Sequence, residues 1–332
     1  MKSLLARFIA TGLLLTLLMS CSSSNKPQTV TLASTASLLD SLVWIANEKG
    51  YFKDEGLEVI FHVYPSGKRA LIGMLEGNAD VATTADVPFM AQLHKHPDLR
   101  VIATVGSADD ELKIITRTDR GIVKPADLKG KTIATQEASA VHFFLHLYLL
   151  QHYISEDDVN IQFMKTEDLP VALADGSIDA MSLREPFITK ASELLNGQIQ
   201  VFSEPALYRK TYNLVARNSY IQQYPDIIDK LLKALLKAEH FVEVNPEQAK
   251  QIIASLLKTD KNSVDQLWNN FVLKVVLEQD FLLQLQLQEQ WLKHISMGNN
   301  EPLPLFESLS LQPLTRVAPE RVGLKPDTDG NQ

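Results

Sequence analysis

From Thr29 onward the chain alternates short apolar runs with longer segments whose apolar residues recur every three or four positions. VTLA is followed by LLDSLVWIANEKG, LEVIFHV by KRALIGMLEG, ADVAT by VPFMAQLHK, and RVIATVG closes the series. Short runs of this kind read as strands and the longer segments as amphipathic helices, so the order predicts a parallel sheet with crossover helices. A second series then restarts the same order: KTIATQ, SAVHFFLHLYLLQHY, IQFMK, DLPVALADG, IDAMSL, FITKASELLNG and QIQVF. Two matching series predict two α/β lobes.

The lobes share a local pattern. GNADVATTAD (77–86) and GSIDAMSLRE (176–185) both read Gly-x-x-Asp-apolar-x-(Thr/Ser)-x-x-(Asp/Glu). One copy could arise in any strand-turn-helix unit; two copies in register point to equivalent steps of two equivalent lobes. In each, a helix ends on a glycine suited to the left-handed conformation, and polar side chains collect at the carboxyl end of the next strand, where open α/β sheets bind ligands. The runs around Ile114–Arg117 and Leu214–Arg217 are read as two extended crossovers between lobes, a hinge, with edge strands as the alternative. Further on, PDIIDKLLKALLKAEHFVEV places Ile227, Ile228, Leu231, Leu232, Leu235 and Leu236 on one stripe, with Lys230, Lys233 and Lys237 outside it, which predicts a helix packed on a lobe. The expected division is residues 29–113 plus 214–320 for lobe one, 114–213 for lobe two, and a loose tail over 321–332.

The 332 residues, 45% hydrophobic and 22% charged, suffice for two packed cores. The first 20 read differently. Lys2 and Arg7 precede an apolar run from Phe8 to Met19, too short for a permanent span and suited to a cleaved export signal. Leu18-Met19-Ser20-Cys21 resembles a lipobox, which implies acyl chains on Cys21 and attachment to a membrane, with 21–28 as a Ser-rich tether; a plain secretory signal is the alternative. Cys21 is the only cysteine, so disulfides, a thiol nucleophile and a cysteine metal site are excluded. Loss of Lys2 and Arg7 with the signal takes the net charge from −8 to −10. An acidic chain without a basic run is unsuited to nucleic acid.

The chain resembles the substrate-binding lipoproteins of bacterial ABC importers, in the group whose members bind nitrate, sulfonates, taurine or pyrimidine precursors of thiamine. The carrying motifs are WIANEKGYFKDEGLEV (44–59), LEGNADV (75–81), DLKGKTI (127–133), ALADGSIDA (172–180) and EPF (185–187). The resemblance implies a type II periplasmic binding fold, two α/β lobes joined by two crossover strands, closing on a small ligand and delivering it to a permease and its ATPase. A monomer without a cofactor is expected. A ligand receptor for a sensor or another envelope partner is the alternative partnership, since both uses rely on closed-state recognition.

If the lobes face each other through the carboxyl ends of their strands, the candidate ligand-binding residues are Ser37, Thr83, Thr84 and Asp86 from lobe one, Gln136, Glu137, Ser139 and Glu185 from lobe two, and Tyr212 on the returning crossover. Family members that hold an oxyanion often carry a Gly-Ser or Ser-Thr run where this chain has TQEASA (135–140). Glu137 there, with Asp86 and Glu185, favours an amine, amidine or pyrimidine-type ligand, because a desolvated charge needs a partner. The alternative is an oxyanion on the amides near Ser139, with Asp86 capping a helix, Glu185 orienting a loop and Glu137 solvated. His142 and His146 have the i, i+4 spacing of zinc ligands, but no third ligand is evident and packing is the expected role. An enzyme is a rival class because a thiamine-pyrimidine synthase shares the family. Its cysteine-rich motif has no counterpart here, nor is there a nucleophile elbow or a dinucleotide loop.

Overall fold

The computed structural model describes residues 27–298 and 301–324. Cys21, the signal segment and most of the tether lie outside the described residues. Among the described residues eleven strands form two sheets: β1 (Gln28–Thr35), β2 (Leu57–Tyr64), β3 (Val81–Ala85), β4 (Leu99–Ala108), β5 (Lys113–Arg117), β6 (Thr132–Thr135), β7 (Asn160–Phe163), β8 (Ala180–Leu183), β9 (Ile199–Phe202), β10 (Lys210–Arg217) and β11 (Phe271–Val272). The first sheet runs β11-β4-β10-β3-β1-β2 and the second β7-β6-β8-β5-β9. Apart from β11 the two orders correspond. In each sheet a strand lies between two parallel neighbours, and the fourth strand runs antiparallel to the others.

The chain passes between sheets in the short segments 109–112 and 203–209. The runs read from the sequence as crossovers are the strands that follow each passage, and both are interior: β5 lies between β8 and β9, and β10 between β3 and β4. Neither is an edge strand, and sheet membership changes at these segments, a few residues before the boundaries expected at 114 and 214. A buried strand and an extended linker carry the same apolar run, so pattern alone could not separate them.

The duplicated pattern has a common structural cause. Asp80 accepts from the Thr31 amide at 2.8 Å through its carboxylate, while its own amide donates to the Thr31 carbonyl at 2.9 Å. Asp179 does the same with Thr132, at 3.0 and 2.9 Å. Each aspartate clasps the strand beside it at the point where its own strand enters the sheet. The preceding turns need Gly77 and Gly176, at φ 86° and 83°.

Helices cover both sheets. Those used below are α1 (Ser41–Glu48), α2 (Gly67–Leu75), α3 (Asp86–Leu93), α4 (Ala140–Gln151), α5 (Leu169–Asp175), α6 (Phe187–Leu194), α7 (Pro225–Val244) and α8 (Gln279–His294). In α7 the predicted stripe is buried from Ile227 to Leu235, with Leu236 half-buried, and it packs on α1. The tail is anchored further than expected: the Gly323 amide donates to Leu277 at 2.8 Å and Arg321 pairs with the buried Glu239 at 2.7 Å. The rest of the predicted loose tail, from 325, lies outside the described residues. At the other end, Gln28, assigned to the tether, opens β1 with its amide bonded to Gly56 at 3.0 Å. No helix among the described residues is long and apolar enough to cross a membrane.

Substituting either clasp, Asp80→Ala or Asp179→Ala, strands a part-buried amide and is expected to lower stability by about 1–3 kcal/mol in urea unfolding. Loss from neither would mean that water serves these amides equally well.

Candidate ligand-binding cleft

Between the sheets lies a narrow cavity of about 30 Å³. As closed, it has room for roughly two waters, so any organic ligand requires the lobes to part. Lobe one contributes Ser66, Gly67, Lys68, Ala85 and Pro88; lobe two contributes Gln136, Ser139, Ala140, Val141 and Arg184 among others; Lys210 and Tyr212 of β10 form the floor. Two helices begin here: α2, with Ser66 as its N-cap accepting from the Arg69 amide at 3.4 Å, and α4, with Ser139 as its N-cap. First-turn amides have no partner within their own helix and carry the positive end of its dipole. α2 approaches closely because residue 67 is glycine: a Cβ there would lie 2.8 Å from the Tyr212 hydroxyl and 3.1 Å from the Ala85 amide nitrogen.

Three cations join these amides. Lys210 is buried and its Nζ pairs with Glu111 at 2.5 Å, while Arg184 Nε lies 4.0 Å from the same carboxylate. Lys68 reaches across the cleft and donates to the main-chain oxygen of Glu137. Burial pushes the Lys68 and Lys210 ammonium groups down, with Glu137 and Glu111 respectively opposing. Glu111 thus serves two cations, and the charges that line the cavity, Lys68, Arg184 and Lys210, are all positive.

The sequence candidates divide. Gln136, Ser139 and Tyr212 line the cavity. Gln136 Nε2 donates to Ser66 Oγ across the lobes at 3.4 Å, and the Tyr212 hydroxyl lies 2.7 Å from Thr35 Oγ1. Ser37, Thr83 and Thr84 lie behind the lining: Ser37 Oγ is 3.1 Å from Thr35 Oγ1, Thr83 donates to Asp40 at 2.6 Å, and Thr84 to the Gly67 carbonyl at 3.0 Å.

The three acids expected to face the ligand do not line the cavity. Glu137 is exposed. Glu185 accepts from the Thr189 amide at 3.1 Å and so caps α6. Asp86 is fully buried, accepting from the Tyr208 hydroxyl at 2.5 Å, the Val87 amide at 2.9 Å, and Gln284 of α8. Burial pushes its pKa up. Each acid ends on an amide, a hydroxyl or solvent, a choice of direction that sequence position does not encode.

Sequence reasoning missed Lys68, Lys210, Glu111 and Asp40. A Ser-Gly-Lys step opening a helix was the available signal for Lys68; Lys210 and Glu111 sit on opposite crossings and meet only through the fold. Asp40 is fully buried behind the cleft, accepting from Ser34 Oγ at 2.6 Å, Thr83 Oγ1 at 2.6 Å and the Thr35 amide at 3.0 Å, and burial raises its pKa to about 6. His142 and His146 do not converge: His146 Nδ1 lies 2.8 Å from Glu156, and His142 turns to other partners. Among the described residues no group of three His, Cys, Asp or Glu is arranged to hold a metal ion.

Comparison with known proteins places this geometry in context. A family profile described as NMT1/THI5 like matches residues 41–249. A Bacillus subtilis protein named for binding aliphatic sulfonates is 29% identical over 234 residues, 68% of this chain and 69% of that one. The alkanesulfonate-binding protein of Xanthomonas axonopodis pv. citri, solved with MOPS bound, superposes with a TM-score of 0.74 at 16% identity, covering 86% of this chain and 99% of that one. The fold is therefore that of periplasmic binding proteins. A desulfurization enzyme also shares it, with a TM-score of 0.63 at 15% identity, covering 88% of this chain and 99% of that one, so fold alone does not separate binding from catalysis.

Asp40 supplies a test of the region behind the cleft. Its folded-state pKa is raised from 3.8 to about 6, so the folded protein keeps a proton that the unfolded chain has lost. Relative to Asp40→Asn, the stability of the native protein should fall as pH rises from about 4 to about 6 and then level off, by up to about 3 kcal/mol. Urea unfolding of both proteins across that range checks this, and a difference independent of pH would contradict it.

Proposed function

The chain belongs to the NMT1/THI5-like family, and from that premise we propose that it is an extracytoplasmic solute-binding protein that closes on a small sulfonate-type oxyanion and passes it to an ABC permease. One observation carries the choice of ligand: two helix N-termini and three cations meet at a cavity that no carboxylate lines, and Glu111 behind it is already shared between two of those cations. Helix N-termini and fixed cations favour an anion. The groups at the cavity are fixed donors and positive charges, suited to hold such a ligand without transforming it. The relatives' names agree in chemistry, and a taurine-binding periplasmic protein of Escherichia coli, 23% identical over 202 residues, is among them. The acids that favoured an amine or pyrimidine lie outside the lining, so the oxyanion is the better reading.

The N-terminal pattern supports export and attachment through acyl chains on Cys21, which would hold the receptor beside its permease. Closure of the lobes is the signal that the permease reads, since binding favours the state in which ligand touches both lobes.

A melting and calorimetry panel of methanesulfonate, ethanesulfonate, taurine and nitrate against aminopyrimidines and amidines tests the reading. A ligand at about 100 times its Kd stabilises the protein by roughly 2.7 kcal/mol, readily seen in a melt. Sulfonates should bind, and Arg184→Gln should weaken them about 10- to 100-fold, the range for a hydrogen bond to a charged group. Binding of the cationic heterocycles with no response to sulfonates would overturn the proposal.

A further inference from the structure

His142 stands on α4 one turn from the cleft, is 3% exposed, and has no part in the reading above. Its Nδ1 accepts from the Ala138 amide at 3.3 Å. Ala138 has φ 46°, left-handed backbone that a residue with a Cβ adopts only when its surroundings hold it there. That turn ends at Ser139 and fixes the direction of the first amides of α4, where Ser139, Ala140 and Val141 line the cavity. On its other side, the His142 ring meets Trp291 of α8 at 4.9 Å with an interplanar angle of 77°, and Phe163 of β7 at 4.8 Å and 66°. α8 packs on α3 and reaches Asp86 through Gln284, so Trp291 comes to His142 from the opposite lobe. Phe143 and His146 of α4 extend the contact, 5.1 and 6.1 Å from the same indole.

We propose that His142 is a positioning residue for ligand capture: through Nδ1 it holds the Ala138 turn that aims the α4 amides at the ligand, and through Trp291 it ties that turn to closure of the lobes. The inference rests on the oxyanion reading for its ligand but not for its geometry. A proton on Nδ1 would face the Ala138 N–H and release the turn, so capture requires the neutral ring. Burial pushes His142 down to about 4; Glu156 opposes this, while His146 on the same helix and Lys68 of α2 add to it. From α8 the titratable neighbour is His294, 5.9 Å from His146, and the ring facing from β7 is the uncharged Phe163. In the folded protein the ring is therefore neutral at and well below neutral pH, and the Nδ1 acceptor is lost only as pH falls to about 4; folding stability, measured against the unfolded ring, declines from about 6.5 downward.

Two measurements test this. Nitrogen NMR of histidine-labelled protein without ligand should show His142 protonated on Nε2 only, with a titration midpoint well below the other histidines; a ring protonated on Nδ1 at neutral pH overturns the proposal whatever the ligand is. Calorimetry with ethanesulfonate, whose charge is constant over the range, then compares the native protein with His142→Phe, which keeps the ring and loses the acceptor, and His142→Asn, whose amide oxygen replaces Nδ1. His142→Phe should bind about threefold to tenfold more weakly at neutral pH, and His142→Asn within about twofold of native. Between about pH 7.5 and 5.5 the native protein should keep its affinity, and lose up to about tenfold only as pH falls to about 4, where His142 gains a proton; both variants should lack that loss. Equal binding and equal pH profiles in all three proteins would overturn the positioning role. If no sulfonate binds any of them, the ligand reading fails and the NMR result decides this one.

Discussion

A carboxylate shut away from water must take its hydrogen bonds from protein, and Asp86 takes them from separate parts of the chain. Its donors include the Val87 amide in the first turn of its own helix, the Tyr208 hydroxyl on the second crossing between lobes, the Thr211 amide of β10, and Gln284 on α8. Losing any one leaves a buried charge or acceptor short, a cost of the order of 1–3 kcal/mol per group, so these partners are held in one arrangement. The crossing is thereby tied to lobe one, and α8 carries Trp291 to the lobe-two helix α4. Hinge and cross-lobe contact are therefore fixed from the same atom group, immediately behind the cavity wall formed by Ala85 and Tyr212.

Charge at the cavity follows from what such burial permits. Lys210, at 4% exposure, draws its counter-charge from Glu111, whose side chain is 8% exposed. That pair is balanced by itself. Arg184, 11% exposed and 4.0 Å from the same acid, receives only a share of it, and Lys68 receives a carbonyl instead of a carboxylate. Uncompensated positive charge inside a closing cleft is costly unless an anion arrives with closure.

Local sequence carried more of the fold than of the site. The clasp made by Asp80 and Asp179 was legible because glycine, aspartate and strand lie within a few residues of one another, so a repeated need left a repeated pattern. The two lobes, their strand and helix alternation and the α7 stripe were legible for the same reason. The interior strands β5 and β10 were read as linkers because sheet pairing is settled by partners far away in sequence. Asp86, Glu137 and Glu185 were correctly placed near strand ends, but whether a carboxylate points to ligand, to a helix amide or to solvent depends on which donors the fold brings near. Lys68, Glu111 and Lys210 lie at most a few residues from segments that were discussed, yet bringing them to one cleft joins positions 43 to 142 residues apart.

The empty and filled states follow from the balance between these parts. Direct polar contacts across the cleft are few: Lys68 to the Glu137 carbonyl and Gln136 to Ser66. Against them stands the mutual repulsion of Lys68, Arg184 and Lys210, which grows as the lobes approach and water leaves. An anion reverses the sign of that term, because each cation then gains a partner only in the closed form, and a ligand shifts an equilibrium only through such a difference. The aromatic contact around Trp291 is uncharged and so indifferent to ligand charge, and parting of the lobes would have to break or carry it. On the proposed reading, closure is governed by two separable quantities, the charge in the cleft and the packing beside it, and the turn at Ala138 is where they touch.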